Sequence, residues 1–170
     1  MKTAGRGKTE RLSIYEIGCI LIGYTDGEWK QEDQFHVLLE RNEASKPFKE
    51  KMPEFVNFVK KSKEGCDELY IAAHNGKRFD HRVMYFHDLR LSSEPNIIWG
   101  DTMEWIKRIV PGLRSYSIAN LHPNGAPPAH HNALPDCEAA IRILNHYQVQ
   151  PCQLFGETWN AIEARCNIKK

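Results

Sequence analysis

The stretch Tyr70-Ile71-Ala72-Ala73-His74-Asn75-Gly76-Lys77-Arg78-Phe79-Asp80 constrains this chain more than any other. It begins within a short apolar run, Leu69 to Ala73, with the length and bulk of a buried strand. Asn75-Gly76 breaks the run, a dipeptide that tolerates positive φ and marks a tight turn. From Asp80 to Leu89 the apolar residues Val83, Met84, Phe86 and Leu89 recur with helical period. A strand, a glycine turn and an acid opening a helix put a carboxylate at the C-terminal edge of a sheet, where open α/β folds bind ligands. Asp80 as a plain helix N-cap is an equally open reading of this stretch.

The rest of the chain supplies alternating elements around it. Residues 1–11 are basic and lack an apolar period, so they read as a loop or tail. Leu12 to Tyr24 and Gln34 to Glu40 read as strands of a hairpin with a long loop, the first ended by Thr25-Asp26-Gly27. Pro47 starts a helix with Phe48, Met52, Phe55, Val56 and Val59 on one stripe. Pro95 to Trp99 is another short apolar run, stopped by Gly100. Asp101 and Glu104 then fit a capping box, which makes Asp101 structural. A short helix is expected over Tyr116 to Leu121 and a strong one from about Leu134 to Tyr147, with Pro151 opening a last helix to about Cys166. This order predicts α/β: a mixed sheet with helices packed on it.

At 170 residues the chain is expected to be a single domain, burying roughly 70% of its unfolded surface. Its 23 basic and 22 acidic residues nearly cancel, which argues against a large basic footprint and leaves room for a local basic groove. The five cysteines are scattered, odd in number and never in a C-x-x-C pair. That pattern favours reduced thiols and an intracellular setting, cytoplasmic or nuclear. No apolar run approaches the roughly 18 residues of a membrane span, and no signal peptide opens the chain.

A second marked site is His131-Asn132-Ala133-Leu134-Pro135-Asp136. Asp136 falls in the first turn of a helix, where the macrodipole favours a carboxylate, and His131 lies in the loop leading in. On spacing alone, a capping aspartate and an ordinary loop histidine account for it. The two sites together say more. Ala-His-Asn-Gly-x-x-Phe-Asp followed by His-x-Ala-Leu-x-Asp resembles the DEDDh branch of the 3′–5′ exonucleases, which have an RNase H-like fold. Ile14-Tyr15-Glu16-Ile17-Gly18 looks like the second strand of that family, and the run Gly112 to Leu121 looks like the region before its third motif. Asn-Gly-Lys-Arg-Phe-Asp and Ser-Tyr-Ser are closest to the three-prime repair exonuclease group. The resemblance covers about residues 2–147.

The resemblance implies an RNase H-like mixed β-sheet flanked by helices over 1–170, with 150–170 a C-terminal helix and tail. It implies two divalent ions, Mg²⁺ or Mn²⁺, held by carboxylates, one activating a water and the other stabilising the leaving 3′ oxygen. Carried over, Asp80 and Asp136 are metal ligands and His131 is the general base; the spacing does not select His130. His74, Asn75, Lys77 and Arg78 become substrate-binding candidates, the two cations as phosphate partners. The implied partner is a DNA or RNA 3′ end, and the implied assembly a homodimer.

The chain departs from the family in its first motif, an Asp-x-Glu-Thr-x-Gly on the central strand. Residues 1–11 hold its remnant: Thr3 and Gly5 match, Lys2 falls on the glutamate, and the aspartate would precede Met1. The central first strand is therefore expected to be truncated or missing. Asp80 and Asp136 offset two of the four charges of two Mg²⁺ ions and Lys2 adds one, at a cost of several kcal/mol for an effective dielectric of about 20. Three explanations compete: a fragment of an active enzyme, a catalytically dead module that binds nucleic acid or a protein, or a strand supplied by another chain.

Overall fold

The computed structural model describes residues 2–4, 13–38, 46–86, 96–124 and 132–167, with backbone alone at 2–4, 13–15 and 46–49. Among the described residues there are six strands and six α-helices, three strands first and helices interspersed with the rest, a mixed α/β chain. Strand β1 (Lys2–Ala4) pairs antiparallel with β2 (Ser13–Thr25), which pairs antiparallel with β3 (Glu28–Leu38). In the second sheet β4 (Leu69–Ala73) runs parallel to β5 (Ile97–Asp101), and β5 pairs antiparallel with β6 (Gly156–Glu157).

Two expectations change at the N-terminal end. Lys2–Ala4 is a strand and not loop or tail, because Lys2, Thr3 and Ala4 find partners at Glu16, Ile14 and Ser13. Among the described residues it ladders with β2, and the strands form two three-stranded sheets, a mixed α/β arrangement consistent with the RNase H-like fold expected. The hairpin has no long loop. Asp26 and Gly27 take φ of 55° and 82°, the left-handed pair that a two-residue hairpin turn needs, and the polar run after them continues as β3.

Strand alternation sorts the core into two clusters. Leu69 and Ile71 of β4 pack against one, Tyr70 against the other. The first gathers Ile17, Trp99, Phe55 and Val59 of helix α1 (Lys46–Lys63), Val83 and Met84 of α2 (Asp80–Phe86), and Ile162 and Cys166 of α6 (Trp159–Asn167). The second joins α3 (Thr102–Ile109), α4 (Ile118–Leu121) and α5 (Ala133–His146) through Trp105, Ile106, Leu121, Ile143 and Leu144. Each such side chain contributes roughly 1.5–3 kcal/mol on full burial.

The last helix is not continuous from Pro151. A short 3-10 turn covers Pro151–Gln153, β6 follows, and α6 starts only at Trp159. Gly156 makes this break fit: a Cβ there would lie 2.5 Å from the Trp99 carbonyl oxygen. The extent of α2 beyond Phe86 lies outside the described residues.

Helix α5 lies against the hairpin. Asn145 clasps the backbone of Trp29 from both sides, accepting its N–H at 2.8 Å and donating to its carbonyl at 3.0 Å. At the other end of α5, a Cβ on Gly18 would stand 2.8 Å from both the Ala133 Cβ and the Leu134 nitrogen. Gly18→Ala is accordingly expected to cost about 1–3 kcal/mol, since the clash includes backbone. An unchanged urea midpoint in the variant would show that α5 can move away freely.

Candidate functional site

β4 and β5 end in register, Ala73 opposite Asp101. The turn that leaves β4 and the acid that ends β5 therefore share one sheet edge, the C-terminal edge of a parallel pair. Asn75 takes φ of 62°, the positive value expected of the Asn-Gly pair. Gly76 serves close approach instead: a Cβ would meet His81 Nε2 at 2.8 Å and the Ala73 Cβ at 3.1 Å. Phe79 and His81 donate backbone N–H bonds to the Gly76 carbonyl, which leads the chain into α2 with Asp80 as its first residue.

Asp101 caps α3 as expected, accepting from Met103 N at 3.0 Å. It also accepts from Asn75 N at 3.0 Å and Lys77 N at 3.1 Å. Three charge-assisted bonds satisfy a carboxylate that is only 3% exposed. Both ring nitrogens of His74 are engaged, Nδ1 with Thr102 Oγ1 at 3.0 Å and Nε2 with the Tyr116 carbonyl at 2.7 Å. A carbonyl only accepts, so Nε2 carries the proton and Nδ1 accepts from the hydroxyl. Burial holds the His74 pKa below its usual 6.5, against the upward pull of the Tyr116 bond and Asp101. Lys77 is half-buried and Arg78 exposed.

Asp136 lies in the first turn of α5, half-buried. Its neighbour Cys137 donates to the Gly18 carbonyl at 3.6 Å, placing this turn on β2. Burial pushes the Cys137 thiol up to about 12, and Cys19, Asp80 and Asp136 all add to the rise. Cys19 is pushed up to about 11, again by burial first, with Asp80 contributing. The two predicted acids are carried by the first residue of α2 and the first turn of α5. Lys2 lies in β1 with its Cα paired to Glu16. His131 lies outside the described residues. Among the described residues, no three His, Cys, Asp or Glu side chains are grouped to hold a metal ion.

Glu16, read in the sequence only as part of a strand, is a third carboxylate beside α5. It is buried, accepts from Ala133 N at 2.9 Å and meets His36 Nε2 at 3.1 Å. Asn132, the residue at the N-cap position, makes no side-chain cap bond. Glu16 thus does across the fold what a cap does locally, satisfying an orphan N–H at the positive end of the helix. Nothing local in the sequence could have signalled this, because its partners are 117 and 20 residues away.

Glu16→Ala strands the Ala133 N–H and is expected to cost about 1–3 kcal/mol, whereas Asn132→Ala should cost only tenths. Denaturant unfolding decides the order, and a larger loss at Asn132 overturns the assignment. Two histidines, His81 buried and His74 half-buried, set a pH dependence. Like His74, His81 is held below 6.5, mainly by burial and against its bond to Glu157. A histidine pKa lowered by folding means that the unfolded chain binds more protons. The associated stability is full above about pH 6.5 and is lost as the pH falls from there through the lowered folded-state value. His81→Phe should flatten this acid slope in melting temperature; an unaltered slope would remove His81 from the account.

Comparison with known proteins places the chain. A search of curated proteins finds no match. Residues 3–144, most of the chain, match the family model described as Exonuclease, of the RNase T type. The β4–turn–α2 site and the acid of α5 both fall within that span, and the chain belongs to this exonuclease family.

Proposed function

We propose that the chain is a 3′–5′ exonuclease domain of the DEDDh branch, nearest to the three-prime repair group. It engages the 3′ end of a DNA or RNA strand, and its hydrolytic step is compromised in the sequence as it stands. The observation that carries this reading is the match of residues 3–144 to the exonuclease family, within which Asp80 opens α2 at the C-terminal edge of the parallel pair and Asp136 lies in the first turn of α5 against β2.

In this reading Asp80 and Asp136 are the metal-binding acids and His131 is the general base. The turn of His74, Asn75, Lys77 and Arg78 faces the terminal phosphates. Family members generally use divalent metals. The described residues do not fit a pair of them: two carboxylates stand without a third donor, and the family's glutamate position holds Lys2. Glu16 does not make up the deficit, since its carboxylate is committed to Ala133 and His36.

A specific observation favours a second reading, a non-catalytic module of the same fold that binds nucleic acid or a protein. The position that would hold the family's glutamate carries a lysine, Lys2, whose Cα lies in β1 opposite Glu16, so a cation replaces an acid in the sequence there. With Lys77 and Arg78 it favours an anion over a metal. Either reading suits a reduced, nuclear or cytosolic setting, given five free thiols. A homodimer belongs to the first reading.

The decisive experiment compares the chain with a Lys2→Glu version carrying an aspartate immediately before Met1. Each is incubated with a 5′-labelled single strand and Mn²⁺. The restored form should shorten the strand stepwise from its 3′ end and the present chain should not. In the restored form, His131→Ala should slow cleavage by about 10²–10⁴-fold while metal binding persists. If neither form cuts, the binding module is the better reading; cleavage by the present chain would refute the charge argument.

A further inference from the structure

The family match ends at residue 144, yet the segment after it reaches back to the ligand-facing turn. Arg165 of α6 donates from Nη1 to the Lys77 carbonyl at 2.6 Å. The same guanidinium is gripped by Glu157 of β6, Nη2 to Oε1 at 2.6 Å and Nε to Oε2 at 3.4 Å. Glu157 Oε1 also lies 3.4 Å from Nδ1 of His81, a side chain 1% exposed whose Nε2 has no hydrogen-bond partner among the described residues. β6 is in register with β5, Glu157 opposite Trp99, two positions before Asp101. One strand thus supports both acids that reach the turn, Asp101 directly and Glu157 through Arg165.

The Lys77 residue is held on both sides. Its N–H donates to Asp101 at 3.1 Å and its carbonyl accepts from Arg165. With both flanking peptides fixed, the direction in which the Lys77 side chain leaves the turn is fixed too, and Arg78 and Asp80 follow within three residues. The planar guanidinium can grip a carboxylate with two donors and still offer a third to a carbonyl, which a lysine ammonium cannot do in the same geometry. A purely structural tie between α6 and the core would not need to end on this carbonyl, since Ile162 and Cys166 already bury α6 in the first cluster.

We infer that Arg165, braced by Glu157, is a positioning residue: it locks the Lys77 peptide so that the turn meets a nucleic-acid 3′ end in one orientation. The inference rests on the proposed reading of the turn as the ligand-facing element. It assigns the segment 150–167 a part in the site that lies outside the family's matched region.

The test uses the full chain and the variants Arg165→Met, which keeps the stem, Arg165→Lys and Glu157→Gln. Amide hydrogen exchange is read at Asn75 and Lys77. Anisotropy without divalent ions is read on a fluorescent DNA strand and its RNA counterpart, each ending in a 3′ hydroxyl. Arg165→Met should speed exchange at both amides by about tenfold or more and leave β2 and α5 unchanged, as loss of a charge-assisted bond opens the turn locally. Affinity for the strand end should fall by about fivefold or more, and Arg165→Lys should restore little of it. Glu157→Gln should give the same pattern more weakly, which covers the case where Arg165→Met does not fold. Unchanged turn amides overturn the lock. Faster amides with unchanged end affinity overturn the positioning role. If the parent chain binds neither strand, the functional reading fails, and the exchange data still decide whether Arg165 locks the turn.

Discussion

The carboxylate of Asp101 is the interaction on which the site depends. A buried charge is tolerable only when its lone pairs are filled, and here three backbone N–H groups fill them. Two of those donors come from the turn after β4 and one from the first turn of α3. A parallel pair of strands ending in register makes this arrangement available, since the acid that closes one strand stands beside the peptides leaving the other. The turn cannot rotate without stripping acceptors from its own amides. His74 adds a second restraint at the same edge by tying the start of the turn to Thr102 and to Tyr116. Tyr116 is itself anchored, donating its hydroxyl to the Val110 carbonyl and accepting from Leu113 N.

Glu16 repeats the device at a second helix. A strand-borne acid again accepts an N–H at a helix start, and here the helix concerned carries a predicted site acid, Asp136. Two of the carboxylates closest to the site in the fold thus orient backbone and leave little capacity for a cation. The acids read as ligands, Asp80 and Asp136, differ in lying at the first position and in the first turn of their helices. Counting acidic residues near the edge would overstate the negative charge open to a ligand.

How far the sequence could be read follows from the range of each interaction. The strand, turn and helix around Asn75-Gly76 were legible because their signals are contiguous, and so was the cap at Asp101. The turn at Asp26-Gly27 was legible too, but the strand after it was not: Glu28 to Asp33 is polar, and pairing with β2 outweighs its composition. The break before α6 depends on the approach of Gly156 to Trp99, which Pro151 and a helical composition conceal. Arg165 reaches a carbonyl 88 residues away, and no local pattern announces such a bond.

The restraints on the turn have a consequence for the altered first motif. None of them comes from β1: Asp101, His74 and Arg165 belong to the second sheet and its helices. Those restraints on the turn therefore do not involve the residue at position 2. What position 2 changes is charge. On the proposed reading, lysine in place of the family's glutamate moves the charge at that position by two units toward positive, and unit charges about 5 Å apart at an effective dielectric near 20 interact by about 3 kcal/mol. That sum opposes a divalent cation and favours a phosphate. On the proposed reading, a scaffold whose geometry survives while its charge reverses would keep the means to receive a strand end and lose the means to cut it, and the difference would lie in one strand of three residues.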